Sequence, residues 1–336
     1  MRKLITILIF MISSVKSWSQ DPHFSQYFSS PLTMNPALTG NFEGLQRVAA
    51  NYRKQWWQVG SPYNTGTISF EQKLFKEKIE DESRFAIGGM FLTDESLAGG
   101  FRSTTGSLSA GYHQALDRLG VHSIGTGIMG TFSNRIVDFN RLTFGSQFTS
   151  GGFDPSLPSG EYFPMGLKPY FDVNAGMVYS YNDGENSMYI GSSVYHAGKP
   201  RFSLFQDSVS RIPRRYTIHG GANFYLGRNT YHRMIISGIY MQQAKATEFT
   251  LGMAYGHYIG NEYDAKYVYM GAFYRKGDAV YPYISLQMND MQIGISYDVN
   301  TSRVKNIAPR YGSIELTFIY TKPDDKEQKR LMPWNY

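Results

Sequence analysis

The chain has 336 residues, 15% of them aromatic, no cysteine and a formal net charge of +6. Without thiols there is no disulfide framework and no thiolate metal site, and the charge is too small to argue for a nucleic-acid partner. A mean hydropathy of −0.35 beside 26 tyrosines and 22 phenylalanines spreads the hydrophobicity over short alternating segments instead of helical blocks.

Arg2 and Lys3 precede the apolar run Leu4 to Ile12, and Ser17 and Ser19 bracket Trp18. This is the pattern of a secretory signal cleaved after Ser19, so residues 1–19 read as a leader. Its removal takes Arg2, Lys3 and Lys16 away and lowers the net charge to +3. The run is too short to cross a bilayer as a helix, and no other stretch reaches the roughly 20 apolar residues that crossing needs. A membrane form must therefore be a closed barrel, since only helices and barrels satisfy every backbone group in lipid.

Residues 20–46 carry Pro22, Pro31 and Pro36 without alternating, and read as a periplasmic or lumen-entering segment ahead of the first strand. Strands follow by period-two alternation at 47–53, 65–72, 84–94, 101–113 and 122–138. The run 171–181 shows it most clearly, with Phe171, Val173, Ala175, Met177 and Tyr179 on one side and Asp172, Asn174 and Ser180 on the other. Turn formers at 182–186 and a second alternating run at 187–196 make it a hairpin. Each strand has the ten or so residues that a tilted strand needs to cross the hydrocarbon. A charge facing lipid costs about 2–4 kcal/mol, which assigns Asp172 and Asn174 to a polar lumen. A soluble sandwich hairpin shows the same alternation. Strands at 216–226, 231–242, 248–256, 267–275, 280–289, 291–300 and 312–320 bring the expected number to fourteen, even as bacterial single-chain barrels require.

Counted from a periplasmic N-terminus, links after odd strands lie outside and run longer. Residues 139–170, 197–215 and 301–311 fit, whereas 73–83, charged enough for a short helix, and 257–266 are long for periplasmic turns. The proline-rich link 139–170 can fold into the lumen as a plug or stand outside as a docking surface. A polar tail, 321–336, follows the closing strand.

Gly125-Thr126-Gly127-Ile128-Met129-Gly130 spells a dinucleotide-binding pattern but lies inside a strand run, where small residues let strands bend or a plug approach closely. No G-x-S-x-G, H-E-x-x-H or G-K-[ST] occurs, so the common hydrolase and phosphate-loop signatures are missing. His23 has no partner at metal-ligand spacing, and the other histidines, single in or near strands, read as wall or rim residues. No enzymatic activity, catalytic residue, metal or cofactor is expected. Trp56 and Trp57 suit an aromatic girdle or an anchor for a protein partner. Arg211, Arg214 and Arg215 suit loop charge near headgroups or a dock for an acidic partner.

Several stretches carry a resemblance. Asp21-Pro22-His23-Phe24-Ser25-Gln26-Tyr27, Asn35-Pro36-Ala37, and Asn51-Tyr52-Arg53 with Trp56 open it; Arg141 to Phe148 and Gly191-Ser192-Ser193 continue it. Pro213-Arg214-Arg215-Tyr216, Tyr274-Arg275, Asp278-Ala279-Val280 and Ser296-Tyr297-Asp298-Val299-Asn300 complete it. In type and order over 21–320 these resemble the PorP/SprF family, outer-membrane proteins of the type IX secretion system of Bacteroidetes. The resemblance implies a non-enzymatic component needed for export or surface attachment of a cognate protein such as a gliding adhesin. It also implies association with the secretion machinery and makes the quoted positions candidates for partner contact, while the long external links and the polar tail suggest that the outer loops or rim hold the cargo's C-terminal signal domain and the periplasmic segments contact the machinery. The expectation is one all-β, antiparallel transmembrane barrel of about 14 strands at 47–320, surrounded by outer-membrane lipid, with both termini periplasmic. The alternative is a channel or hydrophobic-solute transporter.

Overall fold

The computed structural model describes residues 20–57, 61–74, 83–160, 167–202, 210–226, 232–260, 266–302 and 312–323. The expected leader, most of the link 73–83 and nearly all of the polar tail lie outside these residues.

Fourteen long strands carry the described fold: β1 (Gln46–Gln55), β2 (Tyr63–Leu74), β3 (Arg84–Ser96), β4 (Phe101–Ala115), β5 (His122–Val137), β6 (Tyr170–Asn182), β7 (Ser187–Tyr195), β8 (Arg215–Tyr225), β9 (His232–Gln243), β10 (Ala246–Tyr258), β11 (Lys266–Arg275), β12 (Ala279–Met288), β13 (Met291–Tyr297) and β14 (Ser313–Lys322). Each pairs antiparallel with its neighbours in sequence, and β14 returns to β1 with Gln46 opposite Lys322 and Gln55 opposite Ser313. Closure leaves no open edge, the condition that lipid imposes on a β-sheet.

The wall is apolar outside and polar inside. On β6, Phe171 and Val173 are 79% and 59% exposed, while Asp172 and Asn174 are 6% and 1% exposed. Ile68, Phe91, Leu108, Ile128, Ile218, Met270 and Ile284 face outward in the same way on other strands. A soluble sandwich would bury such side chains, so the medium this surface matches is hydrocarbon.

The lumen is filled by the chain's own beginning. Gln20 lies beside Gln55 and Trp56 at the mouth where β1 ends, and residues 20–45 descend from there to the opposite mouth, where Leu45 N–H donates to the Lys322 carbonyl at 2.8 Å. The links 138–169 and 196–214 leave the first mouth, which the loop-length rule makes the outer one. The first described residue and the end of β14 are thus at opposite mouths, while the termini themselves lie outside the described residues. Pro31 and Pro36 start two short helical turns, Pro31–Met34 and Pro36–Leu38, at a position where a missing N–H costs nothing. Asn35 caps the second, its Oδ1 accepting the Ala37 N–H at 2.9 Å.

On one side the plug makes the hydrophobic core. Tyr27, Phe28, Met34 and Leu38 pack against Ile235, Ile239, Phe273, Tyr281 and Tyr283 on β9, β11 and β12, with the Phe28 ring centroid 5.3 Å from Phe273 and 5.4 Å from Tyr283. On the other side the wall is cut away. Gly111, Gly127 and Gly176 stand side by side across β4, β5 and β6. A Cβ on Gly111 would come 2.5 Å from the Thr39 carbonyl oxygen, and one on Gly127 or Gly176 would collide with the Pro36 carbonyl or the Asn35 side chain. The row is a groove that receives the turn at residues 35–39, so the glycine letters around Gly127 serve the close approach of a plug. The described part of the link, 138–160, stands outside. Its small hairpin, Phe148–Thr149 with Gly152–Phe153, leaves Phe148 69% and Phe153 41% exposed.

Gly127→Val should push the turn out of its groove and cost about 1–3 kcal/mol, the usual range for overpacking. Guanidinium unfolding of the vesicle-reconstituted protein measures this; an unchanged midpoint would mean that the turn does not occupy the groove.

Candidate functional site

Buried charge ties the plug to the wall at several heights. Near the outer mouth, the inward phase of β1, β11 and β14 presents Arg53, Arg275 and Glu315, and Asp298 sits just past β13. Arg53 Nη2 donates to Asp298 Oδ2 at 2.8 Å and Nη1 to the His23 carbonyl at 2.6 Å. Arg275 Nη1 donates to the same Asp298 oxygen at 3.1 Å and Nη2 to Ser25 Oγ at 2.7 Å, while Ser25 Oγ donates onward to Asp298 Oδ1 at 2.7 Å. Glu315 accepts the backbone N–H groups of Ser25 and Gln26 at 2.7 and 2.8 Å. The Gln26 side chain donates to Ser296 Oγ at 3.1 Å and accepts from Thr317 Oγ1 at 2.8 Å. Burial pushes the Asp298 carboxyl up, but Arg53 and Arg275 outweigh it and hold the group below the usual carboxylate range. Burial, then Arg53 and Arg275, hold His23 well below the usual imidazole value. Its Nε2 lies 3.2 Å from a Glu248 carboxylate oxygen.

At the tip of the plug, Asp21 Oδ2 lies 2.8 Å from His196 Nε2 and 3.3 Å from Arg215 Nη1, and His196 Nδ1 lies 2.7 Å from Asp172 Oδ2. Burial opposes charge on His196, yet Asp21 and Asp172 raise its pKa to about 9. Burial also opposes ionisation of Asp21, and His196 and Arg215 reverse this to hold the carboxyl far below its usual value. Deeper, the Asn35 Nδ2 donates to the Met177 and Ser192 carbonyls at 3.0 and 3.2 Å and lies 2.9 Å from His219 Nε2, while His113 Nε2 lies 2.9 Å from the Thr39 carbonyl. Near the inner mouth, Arg47 forks onto Glu71 at 2.8 and 3.0 Å, Glu71 accepts the Gly40 N–H at 3.1 Å, and the guanidinium covers the Phe42 ring at 4.5 Å.

Many positions singled out in the sequence meet here. Asp21, Ser25, Gln26, Arg53, Arg215, Arg275, Asp278, Ser296 and Asp298 belong to the anchors, Asp278 through Arg275 Nη1 at 2.9 Å. Phe24 and Tyr27 are buried in the plug, Asn51 in the wall, and Asn35 and Pro36 in the glycine groove. Pro22, Trp56 and Asn300 line a cavity of about 530 Å³ at the outer mouth. Tyr52 and Tyr274 are exposed, Trp57 packs on Tyr297 at 6.1 Å, and Arg214 bonds the Ala197 carbonyl at the surface; these five stand apart from the anchors. Sequence reasoning passed over Glu71, Glu248 and Glu315, and read His113, His196 and His219 as wall or rim residues. The available signal was phase, since each occupies or adjoins the inward face of its strand, where a charge needs a partner. Among the described residues no group of three His, Asp or Glu side chains could hold a metal ion.

The family model described as type IX secretion system membrane protein PorP/SprF matches residues 17–320. The chain belongs to the PorP/SprF family. No curated protein sequence matches this PorP/SprF chain. The Pseudomonas putida toluene transporter TodX is similar in structure, with 9% identity, a TM-score of 0.51 and coverage of 91% of this chain and 95% of that one. A TodX monoaromatic hydrocarbon channel carrying the deltaS2 mutation gives 10% identity and a TM-score of 0.51 over 88% and 94% of the two chains. At such identities the likeness shows the fold alone.

Two outcomes test the anchors. Arg53→Met leaves Asp298 and Glu315 short of a buried counter-charge and should cost about 3–5 kcal/mol in unfolding free energy; a loss under 1 kcal/mol would remove Arg53 from the role given to it. The tip should respond to alkali. His196, raised from 6.5 to about 9, contributes stability that is complete below its unfolded value and lost as pH rises through 9. Asp21, depressed, contributes stability that is lost only in strong acid. Protease added from outside should therefore spare the plug tip at neutral pH and cut it above pH 9, and His196→Ala should abolish that alkaline transition.

Proposed function

We propose that this PorP/SprF protein is an integral outer-membrane component of type IX secretion that holds a cognate exported protein at its outer mouth, through the cargo's C-terminal signal domain, while its periplasmic side engages the secretion core. The observation that carries this reading is the filled lumen. A plug tied by buried charge from one mouth to the other leaves no bore for a folded protein, so a part in export falls to the rims and links. The exposed Phe148 and Phe153 in the outer link are the kind of apolar anchor that protein partners use. Cargo of the gliding-adhesin class rests on the family alone, and the reading gives no residue a catalytic step. A hydrophobic-solute channel is the second reading, favoured by the cavity of about 530 Å³ that opens onto the plug.

Deleting residues 141–157 should remove one or a few large proteins from the surface and secreted proteomes while the amount of barrel in the outer membrane stays constant. Loss of nearly all exported proteins would place the protein in the shared core. An unchanged proteome would overturn the docking reading, and conductance across planar bilayers would then test the channel.

A further inference from the structure

A second, smaller cavity of about 80 Å³ lies between the plug and the wall formed by β3 to β6, walled by Met90, Leu92 and Met129 together with Arg135, Asp172 and Arg215. Its charges do not cancel. His196 and Arg215 are matched by Asp21 and Asp172 in the contacts at the plug tip, which leaves Arg135 in excess. The Arg135 guanidinium lies over the rings of Tyr170 and Phe202 at 5.5 and 4.5 Å and donates to the Tyr170 hydroxyl at 3.2 Å. Among the described residues it has no carboxylate at ion-pair distance. Its Nε lacks a hydrogen-bond partner, as does the Nε of Arg215, a side chain that is 7% exposed. Asp172 Oδ1 is likewise without a donor although Asp172 is 6% exposed. Buried polar atoms nearly always pair, so two guanidinium donors and one carboxylate acceptor around one cavity are open to a ligand's polar groups.

We propose that this cavity binds a small hydroxycarboxylate. A carboxylate suits the planar guanidinium of Arg135, with Arg215 Nε as a second donor, and one negative charge offsets the one lining cation that no carboxylate contacts. A hydroxyl supplies the donor that Asp172 Oδ1 lacks. The few carbons between them lie against Met90, Leu92 and Met129, and the cavity volume admits nothing much larger. This site is separate from the proposed cargo dock, so each stands or falls alone.

The probe is 3-hydroxybutyrate, titrated calorimetrically into the detergent-purified full chain. The expected result is saturable binding, weakened at least tenfold by Arg135→Gln and absent for 1,3-butanediol, which has hydroxyls and no charge. Arg135→Lys keeps the cation and should retain part of the affinity, and an unaltered unfolding midpoint in both variants separates lost binding from lost folding. Wild-type protein without saturable binding, meaning that water alone fills the cavity, overturns the proposal. So does equal affinity in the Arg135→Gln protein.

Discussion

Hydrocarbon offers a backbone N–H or C=O no partner, and the rest of this molecule follows from that constraint. It forces the sheet to close, and closure of fourteen strands with the apolar side chains turned outward leaves an inner face of serines, threonines, carboxylates and guanidiniums. Such a lumen is too wide to be filled by its own side chains. Residues 20–45 fill it, and filling it removes water from the charges that line it. Arg53, Arg275, Asp298 and Glu315 must then find one another and the plug backbone, because an isolated charge in that environment would be far too costly.

The three kinds of contact between plug and wall do different work. The aromatic packing of Phe28 against Phe273 and Tyr283 supplies non-directional attraction on one flank. The glycine groove on the other flank sets how near the chain can come, since backbone meets backbone there. Neither fixes the plug along the barrel axis. The polar anchors do, by tying Asp21 and Ser25 near the outer mouth, Asn35 in the middle and Gly40 near the inner mouth to residues on different strands. Buried ion pairs are weak evidence for net stability; their contribution here is position.

A barrel filled in this way suits the docking reading better than the channel reading. The plug takes up most of the inward charges, and the docking reading leaves contact with partners to the outer links. The comparison with TodX, at 9% identity, concerns the same architecture and no more.

Period-two alternation gave fourteen strands, the inward placement of Asp172 and Asn174 and the outward placement of Phe171 and Val173. These were legible because lipid acts on each residue separately, so phase along one strand decides the face. The motifs from Asp21 to Asn300 carried the family in the same local way. Which inward charges meet was not legible: Glu315 holds the backbone of Ser25 across 290 positions, and His196, read as a wall or rim histidine, closes on Asp21. Nor could spacing place residues 20–45 in the lumen or align Gly111, Gly127 and Gly176 into one groove. Those contacts depend on barrel closure and on the register of every ladder between the residues concerned, and only the assembled sheet fixes both.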